Sequence, residues 1–404
     1  MSDSASQVPS AHYRWLSAYW FLGGLALGLV ALAVVGRRVA RTDYHPGFIR
    51  FFPPTSPETN YFPTLNEMTA IVHARCRPDQ ILVIVGGNSI LQGVWQPAEE
   101  VWSKHLQDLL GDHYCVLNFA FRGAGPANGG AVVAEVLRNA YPRQIYIANE
   151  AAQTAVESIG YDPYRYLTWQ AYFTGQLIDY PPRNAMIAAY RATPEGRRVL
   201  IDAAISTLFD RVLYYRDVWN LVTFKYFCTI PSLYAAAIPE LLTPRAKIPD
   251  AESDATSPEN VANRYPAAVL DLETQIVRGF EIYSHRNPDG HWVLADATRS
   301  DMLAHFVASF PTQLKARTLM LISRSSPYYR RRLTADEAVG EDTAYANTVA
   351  IWEQAGYAAM SYGRDFTDDD YGDRTHLSKL GGAKLADAVA PKVRAMAEQL
   401  GYLR

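Results

Sequence analysis

Residues 81–92 read ILVIVGGNSILQ, and this stretch decides the fold. Five consecutive apolar residues, 81–85, predict a strand buried on both faces, as strands of parallel sheets are. Gly86 and Gly87 permit a sharp exit that would lift the hydroxyl of Ser89 above the carboxyl end of the strand. Ser89 is therefore a candidate nucleophile. A serine here is equally suited to be the N-cap of a helix, and the stretch alone leaves both interpretations open.

A distant segment, residues 373–378 (DRTHLS), carries the side chains that a nucleophilic serine needs. The imidazole of His376 would remove the hydroxyl proton during attack, and the carboxylate of Asp373 would hold the imidazole in the correct tautomer. Taken alone, His376 would be interpreted as an ordinary histidine of a surface turn. Together with Ser89, the segment predicts a Ser/His/Asp triad.

The pattern around these segments alternates between strands and helices. Apolar runs predict further strands at residues 114–120, 144–148, 319–323 and 357–362, and helices at 97–110, through 138, through 353 and after 378. Such alternation is typical of a parallel α/β sheet. Pro391 falls inside the last helical pattern and predicts either a kink or two short helices.

Residues 15–36 form an uncharged apolar stretch. As a helix it is long enough to cross a bilayer core of ~30 Å, so we expect a membrane anchor. Aromatic residues would lie in one interface and arginines at the other (Trp15, Tyr19, Trp20, Arg37, Arg38, Arg41). A cleaved signal peptide is the alternative, because residues 31–33 (ALA) resemble a cleavage site, although the apolar run is long for one.

Composition and charge argue against several classes of function. The chain has 404 residues and a net charge of -3, and it lacks the basic stripe that nucleic-acid binding requires, so no nucleic-acid partner is expected. Its three cysteines show no CxxC spacing and are interpreted as isolated core residues rather than metal ligands or a disulfide framework. The acidic run at residues 368–370 is expected to be solvated, and neither a metal nor a cofactor is predicted.

The expected organisation is a tail (1–14), the anchor (15–36), a juxtamembrane linker (37–78) and a catalytic domain (79–404) with a mostly helical insertion at about 153–300. Residues 204–219 and 222–242 have helical spacing but are rich in apolar side chains, and 249–261 predicts an acidic loop. The insertion would cover the site or face a partner. Its aromatic residues would shelter a sugar or an acyl chain, or form a small separate core.

Four segments, in the correct order, resemble the signature blocks of the SGNH (GDSL-like) hydrolases. They are residues 87–89 (GNS), 118–123 (NFAFRG), 147–150 (IANE) and 373–381 (DRTHLSKLG). Three positions depart from the common pattern: Asn88 replaces an aspartate, Ala120 a glycine and Glu150 an aspartate. The resemblance implies a three-layer, flavodoxin-like parallel sheet with helices on both faces.

The resemblance also implies an oxyanion hole formed by the backbone N–H groups of Ser89 and Gly123 and by the side-chain amide of Asn149. Acyl transfer needs two or three such donors aimed at the developing negative charge. The alternative interpretations are a loop glycine with positive φ for Gly123 and a strand-end cap for Asn149.

A membrane-anchored member with a helical insertion resembles the envelope acyl-transfer proteins of this family. The implied activity is acyl transfer to, or ester hydrolysis on, a cell-envelope glycan, with an acylated glycan or lipid-linked acyl donor and a membrane-bound O-acyltransferase as partners. The alternatives are a non-catalytic scaffold subunit and a membrane lipase. Because water and a sugar hydroxyl attack the same acyl-enzyme, the motifs do not separate esterase from transferase.

Such an activity places the catalytic domain in the periplasm or outside the cell. The arginines argue against this orientation, since three follow the span and only Arg14 precedes it. The positive-inside rule would leave the domain in the cytoplasm, although long domains translocate largely regardless of local charge.

Overall fold

The structure is a computed structural model, and it describes residues 11–45, 47–51, 63–151, 165–177, 181–222, 274, 277, 278, 284–294 and 310–403. The described strands are β1 (Ile81–Val85), β2 (Tyr114–Asn118), β3 (Gln144–Ala151), β4 (Ser284–Arg286), β5 (Trp292–Leu294), β6 (Thr318–Ser323) and β7 (Ala358–Tyr362).

Five of these strands form one parallel sheet in the order β2-β1-β3-β6-β7. The predicted parallel α/β sheet is therefore confirmed, with its strands within a few residues of the expected positions. Strands β4 and β5 form a separate antiparallel hairpin inside the expected insertion. The chain passes from β1 to β2 on one side and then to β3 on the other side of β1. Ligands of open α/β sheets bind at the carboxyl ends of the strands at such a reversal.

The described α-helices are α1 (Ala11–Val39), α2 (Leu65–Arg75), α3 (Ser89–Gln92), α4 (Trp102–Leu110), α5 (Gly130–Leu137), α6 (Arg165–Phe173), α7 (Pro181–Ala192), α8 (Pro194–Leu213), α9 (Tyr215–Val222), α10 (Pro327–Arg330), α11 (Ala335–Gln354) and α12 (Lys379–Gln399). The predicted helix at 97–110 begins instead with a short 3-10 turn, Ala98–Glu100, before α4. Residues 223–242 and 249–261, for which a helix and an acidic loop are predicted, lie outside the described residues.

Helices pack on both faces of the sheet because β1 is apolar at every position. Leu82 and Ile84 belong to a core that includes Trp352 of α11. Val83 and Val85 belong to a second core that includes Trp102 of α4 and residues of α12. Alternate side chains of a strand point to opposite faces, so this one strand contributes to both cores.

The N-terminal helix α1 contains an apolar segment, Ala18–Val39, with a mean hydropathy of 2.1 over its most apolar part, none of which is buried. This confirms the expectation of one N-terminal apolar helix long enough to cross a membrane, displaced by three residues from the predicted 15–36. Its last turn meets the globular body, because Gly36, Val39 and Ala40 are buried.

Two expectations about individual residues are wrong. Cys76 and Cys115 are not isolated core residues, because they form a disulfide with a Cα–Cα distance of 5.6 Å that joins the end of α2 to β2. Of the two alternatives for Pro391, a division into two short helices is wrong, because the last helix runs unbroken from Lys379 to Gln399. Proline has no backbone N–H, so the carbonyl of Asp387 lacks its helical hydrogen bond. Both residues are exposed, so water can bond to that carbonyl.

Candidate functional site

The chain leaves β1 in a turn that only glycine permits and enters the short helix α3 at Ser89. Gly87 has φ +87°, and a Cβ atom there would collide with Oδ1 of Asn149. The N-cap of α3 is Asn88, whose Oδ1 accepts the N–H of Ile90 at 3.0 Å. Ser89 is thus the first residue of the helix rather than its cap, and its hydroxyl is left for other contacts.

His376 lies directly against Ser89, although 287 residues separate them in the sequence. Its Nε2 is 2.7 Å from Oγ of Ser89, and its Nδ1 is 2.7 Å from Oδ2 of Asp373. With Nδ1–H donating to the carboxylate, Nε2 is the acceptor for the serine hydroxyl. The three predicted triad residues are therefore brought together, and all three side chains are partly exposed, so a substrate can approach them.

The carboxylate of Asp373 is held by several donors. Its Oδ1 accepts the backbone N–H groups of Thr375 at 2.9 Å and His376 at 2.8 Å, while its Oδ2 accepts the His376 ring. Burial acts to raise the pKa of Asp373, but the charge of His376 and these hydrogen bonds outweigh it and hold the pKa well below its ordinary value. Asp373 is consequently ionised whenever His376 needs an anionic partner.

Sequence reasoning missed a fourth side chain in this network, Trp95. Its Nε1–H donates to Oδ2 of Asp373 at 2.8 Å, the same oxygen that accepts from His376. Its indole lies so close to Gly372 that a Cβ atom there would be 2.6 Å from the ring. Trp95 also has φ +70°, a conformation that is uncommon for residues other than glycine and that recurs at functional sites.

The next residue, Gln96, ties the serine segment to the histidine segment. It is fully buried, its Oε1 accepts the N–H of Trp102 at 2.8 Å, and its Nε2 donates to the carbonyl of Leu377 at 3.2 Å. Because Leu377 follows His376 directly, this amide fixes the spacing between the nucleophile and its base.

Arg50, in the predicted juxtamembrane linker, lies beneath the same segment. Its guanidinium donates to the carbonyls of Gln92 at 2.9 Å and Gln96 at 2.7 Å, and also to that of Gly93. Gln92 in turn donates to the carbonyl of Phe51 at 2.8 Å. The linker is therefore part of the support for the site, since it binds the carbonyls at the end of α3.

The residues predicted to form an oxyanion hole lie around the turn after β1. The N–H of Phe121 donates to the carbonyl of Gly87 at 3.0 Å, which places the segment containing Gly123 against this turn. Gly123 has φ +73°, which also agrees with its interpretation as a loop glycine. Within the described part of the chain, no hydrogen bond occupies the backbone N–H of Ser89 or Gly123.

Asn149 is fully buried inside β3 and forms a reciprocal pair with Asn88. Its Oδ1 accepts the backbone N–H of Asn88 at 3.1 Å, and its Nδ2 donates to Oδ1 of Asn88 at 2.9 Å. A primary amide has two N–H groups, and this pair uses one of them. The pair gives Asn88 a structural role in the turn between β1 and α3.

Glu150 lies next to Asn149 in β3 and is buried in the core, where its Oε2 accepts the indole N–H of Trp352 at 2.9 Å. Burial raises the pKa of Glu150 to about 8, against the opposing effect of the Trp352 hydrogen bond. Burial therefore favours the protonated form of this carboxyl at pH 7.

The acidic run before the histidine segment is only partly solvated, contrary to expectation. Asp370 is buried, its Oδ2 lies 2.6 Å from Nζ of Lys384, and its carbonyl accepts the N–H of Ser378 at 2.9 Å. Asp370 therefore braces the histidine segment against α12, a role that the sequence run did not indicate.

No family model, no curated protein and no solved structure matches the chain.

Proposed function

We propose that the chain is a membrane-anchored serine acyltransferase or esterase of the SGNH type, which acts on O-acyl groups, such as acetyl, of a cell-envelope glycan through an acyl-enzyme on Ser89. The observation that carries the proposal is the continuous contact from Ser89 Oγ to His376 Nε2 and from His376 Nδ1 to Asp373 Oδ2, each at 2.7 Å. These are hydrogen-bond distances for a nucleophile and its base and for that base and its orienting group.

The proposed reaction has two steps that use the same groups. His376 takes the proton of Ser89 as Oγ forms a bond to the acyl carbon, and the N–H groups of Ser89, Gly123 and Asn149 stabilise the oxyanion. The imidazolium then gives its proton to the departing alcohol oxygen. In the second step His376 takes a proton from water or from a sugar hydroxyl, which attacks the acyl carbon. The bond between the acyl carbon and Oγ then breaks, and the imidazolium returns its proton to Oγ of Ser89.

The disulfide supports a location outside the cytoplasm. Disulfides persist in oxidising compartments and are rare in the reducing cytosol, and Cys76 and Cys115 are joined. With an N-terminal helix apolar enough to cross a membrane, this favours a single-pass protein with a periplasmic or extracellular domain. The arginines after the span remain the argument against that orientation. The proposed partners are an acylated envelope glycan or lipid-linked acyl donor, and a membrane-bound O-acyltransferase that supplies the acyl group.

A fluorophosphonate probe tests the nucleophile. We expect the wild type to be labelled at Ser89 and Ser89→Ala to lose labelling while its thermal unfolding is unchanged. Ser103→Ala is the matched control, because Ser103 is a buried serine that accepts a hydrogen bond from Asn118. Equal labelling of Ser89→Ala and the wild type would remove Ser89 from the mechanism.

The kinetics of the double variant test whether the triad acts as a unit. His376→Ala should cost nearly as much activity toward a short acyl ester as Ser89→Ala, and the double variant should be little worse than either. Residues that act together are strongly non-additive, whereas independent contributors multiply their losses. Multiplied losses, or activity that survives in His376→Ala with an unchanged pH profile, would contradict the assignment.

Topology is tested with reporters fused to the C-terminus. We expect an alkaline phosphatase fusion to be active and a cytoplasmic fluorescent reporter to be dark. The reverse pattern would place the domain in the cytoplasm and would rule out an envelope glycan as the substrate.

A further inference from the structure

Helix α8 has the reverse of the polarity that a surface helix normally shows. Its exposed face carries Ile201, Ile205, Leu208 and Val212, which recur every three or four residues and so form one stripe. Leu208 is 62% exposed, whereas Thr207 and Asp210 on the opposite side are 4% and 2% exposed. A helix of a water-soluble domain turns its apolar stripe inward. Here the polar residues face inward and the apolar stripe faces outward.

The inward polar side is held by specific contacts. Oδ1 of Asp210 accepts the N–H of Arg216 at 3.1 Å, and the amide of Gln170 in α6 donates to its Oδ2 at 3.4 Å. Nearby on α9, Asp217 accepts hydrogen bonds from Thr64 and Asn66 of the segment that begins α2. The bond from Gln170 ties the inward side of α8 to α6, so a rotation that buried the apolar stripe would take this partner from the buried carboxyl of Asp210.

The C-terminal end of the outward stripe lies where α8 meets the apolar segment of α1. A Cβ atom on Gly36 would lie 2.7 Å from Cβ of Tyr214, the C-cap residue that follows α8. Gly36 is three residues from the end of the apolar segment at Val39, which is about 4.5 Å along a helix. The C-terminal end of α8 is therefore at the depth where the bilayer core gives way to its headgroup region.

The side chains around the stripe fit a lipid interface. Trp219 on α9 is 63% exposed, and tryptophan is the residue type enriched at membrane interfaces. Exposed arginines border the stripe at both ends: Arg197 and Arg198 precede it, and Arg211 lies near its end. The exposed acidic residues of the same helix are two, Glu195 and Asp202. An apolar face with basic flanks is the pattern of helices that lie in the plane of a membrane containing anionic lipids.

We infer that α8 is a second membrane contact of this protein: its face of Ile201, Ile205, Leu208, Phe209 and Val212 lies in the acyl-chain layer of the bilayer leaflet that receives the end of α1. Lipid is the occupant because the C-terminal end of the stripe lies beside Gly36, near the end of the apolar segment of α1. The inference rests on the anchor and not on Ser89, and it orients the domain on the membrane surface rather than leaving it free on its linker.

Fluorescence quenching in nanodiscs tests this inference with the full-length chain. On a Cys228→Ser background, Leu208→Cys is labelled with the environment-sensitive fluorophore NBD and reconstituted into equal parts phosphatidylcholine and phosphatidylglycerol. We expect a doxyl-labelled phosphatidylcholine to quench most of its emission and aqueous iodide to quench little. Val339→Cys is the matched control, an exposed apolar residue of α11, and it should show the opposite pattern.

Each other result counts against the inference. Quenching of the Leu208 label by iodide, with none by the doxyl lipid, would place the stripe in water. Protection from both quenchers would mean that another protein or a second copy of this chain covers the stripe, and would overturn lipid as the occupant. Phe209→Cys repeats the measurement should Leu208→Cys fail to fold, and thermal unfolding like that of the wild type is required of every labelled protein.

Discussion

Replacing Trp95 with phenylalanine tests whether the indole N–H is part of what makes His376 an effective base. Oδ2 of Asp373 accepts two hydrogen bonds, from His376 Nδ1 at 2.7 Å and from Trp95 Nε1 at 2.8 Å. Phenylalanine keeps an aromatic ring against Gly372 but has no donor. Tryptophan and phenylalanine are both aromatic residues with a Cβ atom, so the backbone strain of the positive φ at position 95 is similar for both. The substitution therefore tests chiefly the hydrogen bond.

The expected loss of rate in Trp95→Phe depends on the hydrogen bonds that Asp373 keeps. A hydrogen bond to a charged group contributes about 1.5–3 kcal/mol, and Asp373 keeps its other three donors, so the lower figure applies. If that amount is lost in the transition state, the rate falls about tenfold. Asp373→Asn should be far worse, because an amide favours the wrong imidazole tautomer, a change that costs about 10⁴ in serine proteases.

The assay is steady-state hydrolysis of p-nitrophenyl acetate by the full-length protein in detergent, with kcat and KM measured separately. Because Trp95 acts through Asp373 and not on the substrate, we expect kcat to fall and KM to stay unchanged. Trp292→Phe is the matched control, since it removes an indole N–H that donates to the carbonyl of Asp336 at 2.9 Å, outside this network. An unchanged kcat in Trp95→Phe, or an equal loss in the control, would refute the reasoning.

Two further predictions concern stability. Glu150 keeps its proton in the folded state up to a pKa of about 8 against 4.5 as its ordinary value, so unfolding free energy should fall as pH rises between these values, by on the order of 5 kcal/mol. Glu150→Gln retains an acceptor for Trp352, and its unfolding free energy, measured by urea titration at a series of pH values, should fall much less with pH. An equal pH dependence in the variant and the wild type would contradict the prediction. The Cys76–Cys115 disulfide closes a loop with a sequence separation of 39, worth about 4 kcal/mol. Reductant should destabilise the wild type by this amount and leave Cys76→Ser unaffected, and a wild type indifferent to reductant would contradict the link.

The five strands of the parallel sheet were predictable because their apolar sequences favour a buried strand. Residues 81–85 are apolar and β-branched at nearly every position and are followed by two glycines, so β1 has the predicted limits. The meeting of Ser89 with His376 was also predicted, since a nucleophile at a strand end calls for a base. The distance between the two side chains could not be predicted, because they are 287 residues apart in the sequence and only the fold brings Nε2 of His376 to 2.7 Å from Oγ of Ser89.

Other features depend on contacts that no local pattern encodes. Nothing in the letters around Trp95 relates it to Asp373, and the pairing of Cys76 with Cys115 follows from the position of α2 beside β2 rather than from spacing. The apolar periodicity of α8 was visible, but periodicity does not tell which face is buried. The buried face of α8 is the one that carries Asp210, which accepts a hydrogen bond from Gln170 of α6.

In the proposed topology, the distance between the membrane span and Ser89 limits which substrates can reach the nucleophile. Arg50 follows Val39, the end of the apolar segment, by eleven residues, a reach of at most about 40 Å even if fully extended. Its guanidinium holds the carbonyls at the end of α3, and Ser89 begins that four-residue helix, only about 6 Å long. With the length of the arginine side chain, Ser89 therefore lies within roughly 55 Å of the end of the span. The proposed acyl-enzyme must then meet its donor and acceptor close to the membrane, which favours a lipid-linked acyl donor and a glycan that is still near the bilayer over a polymer already released from it.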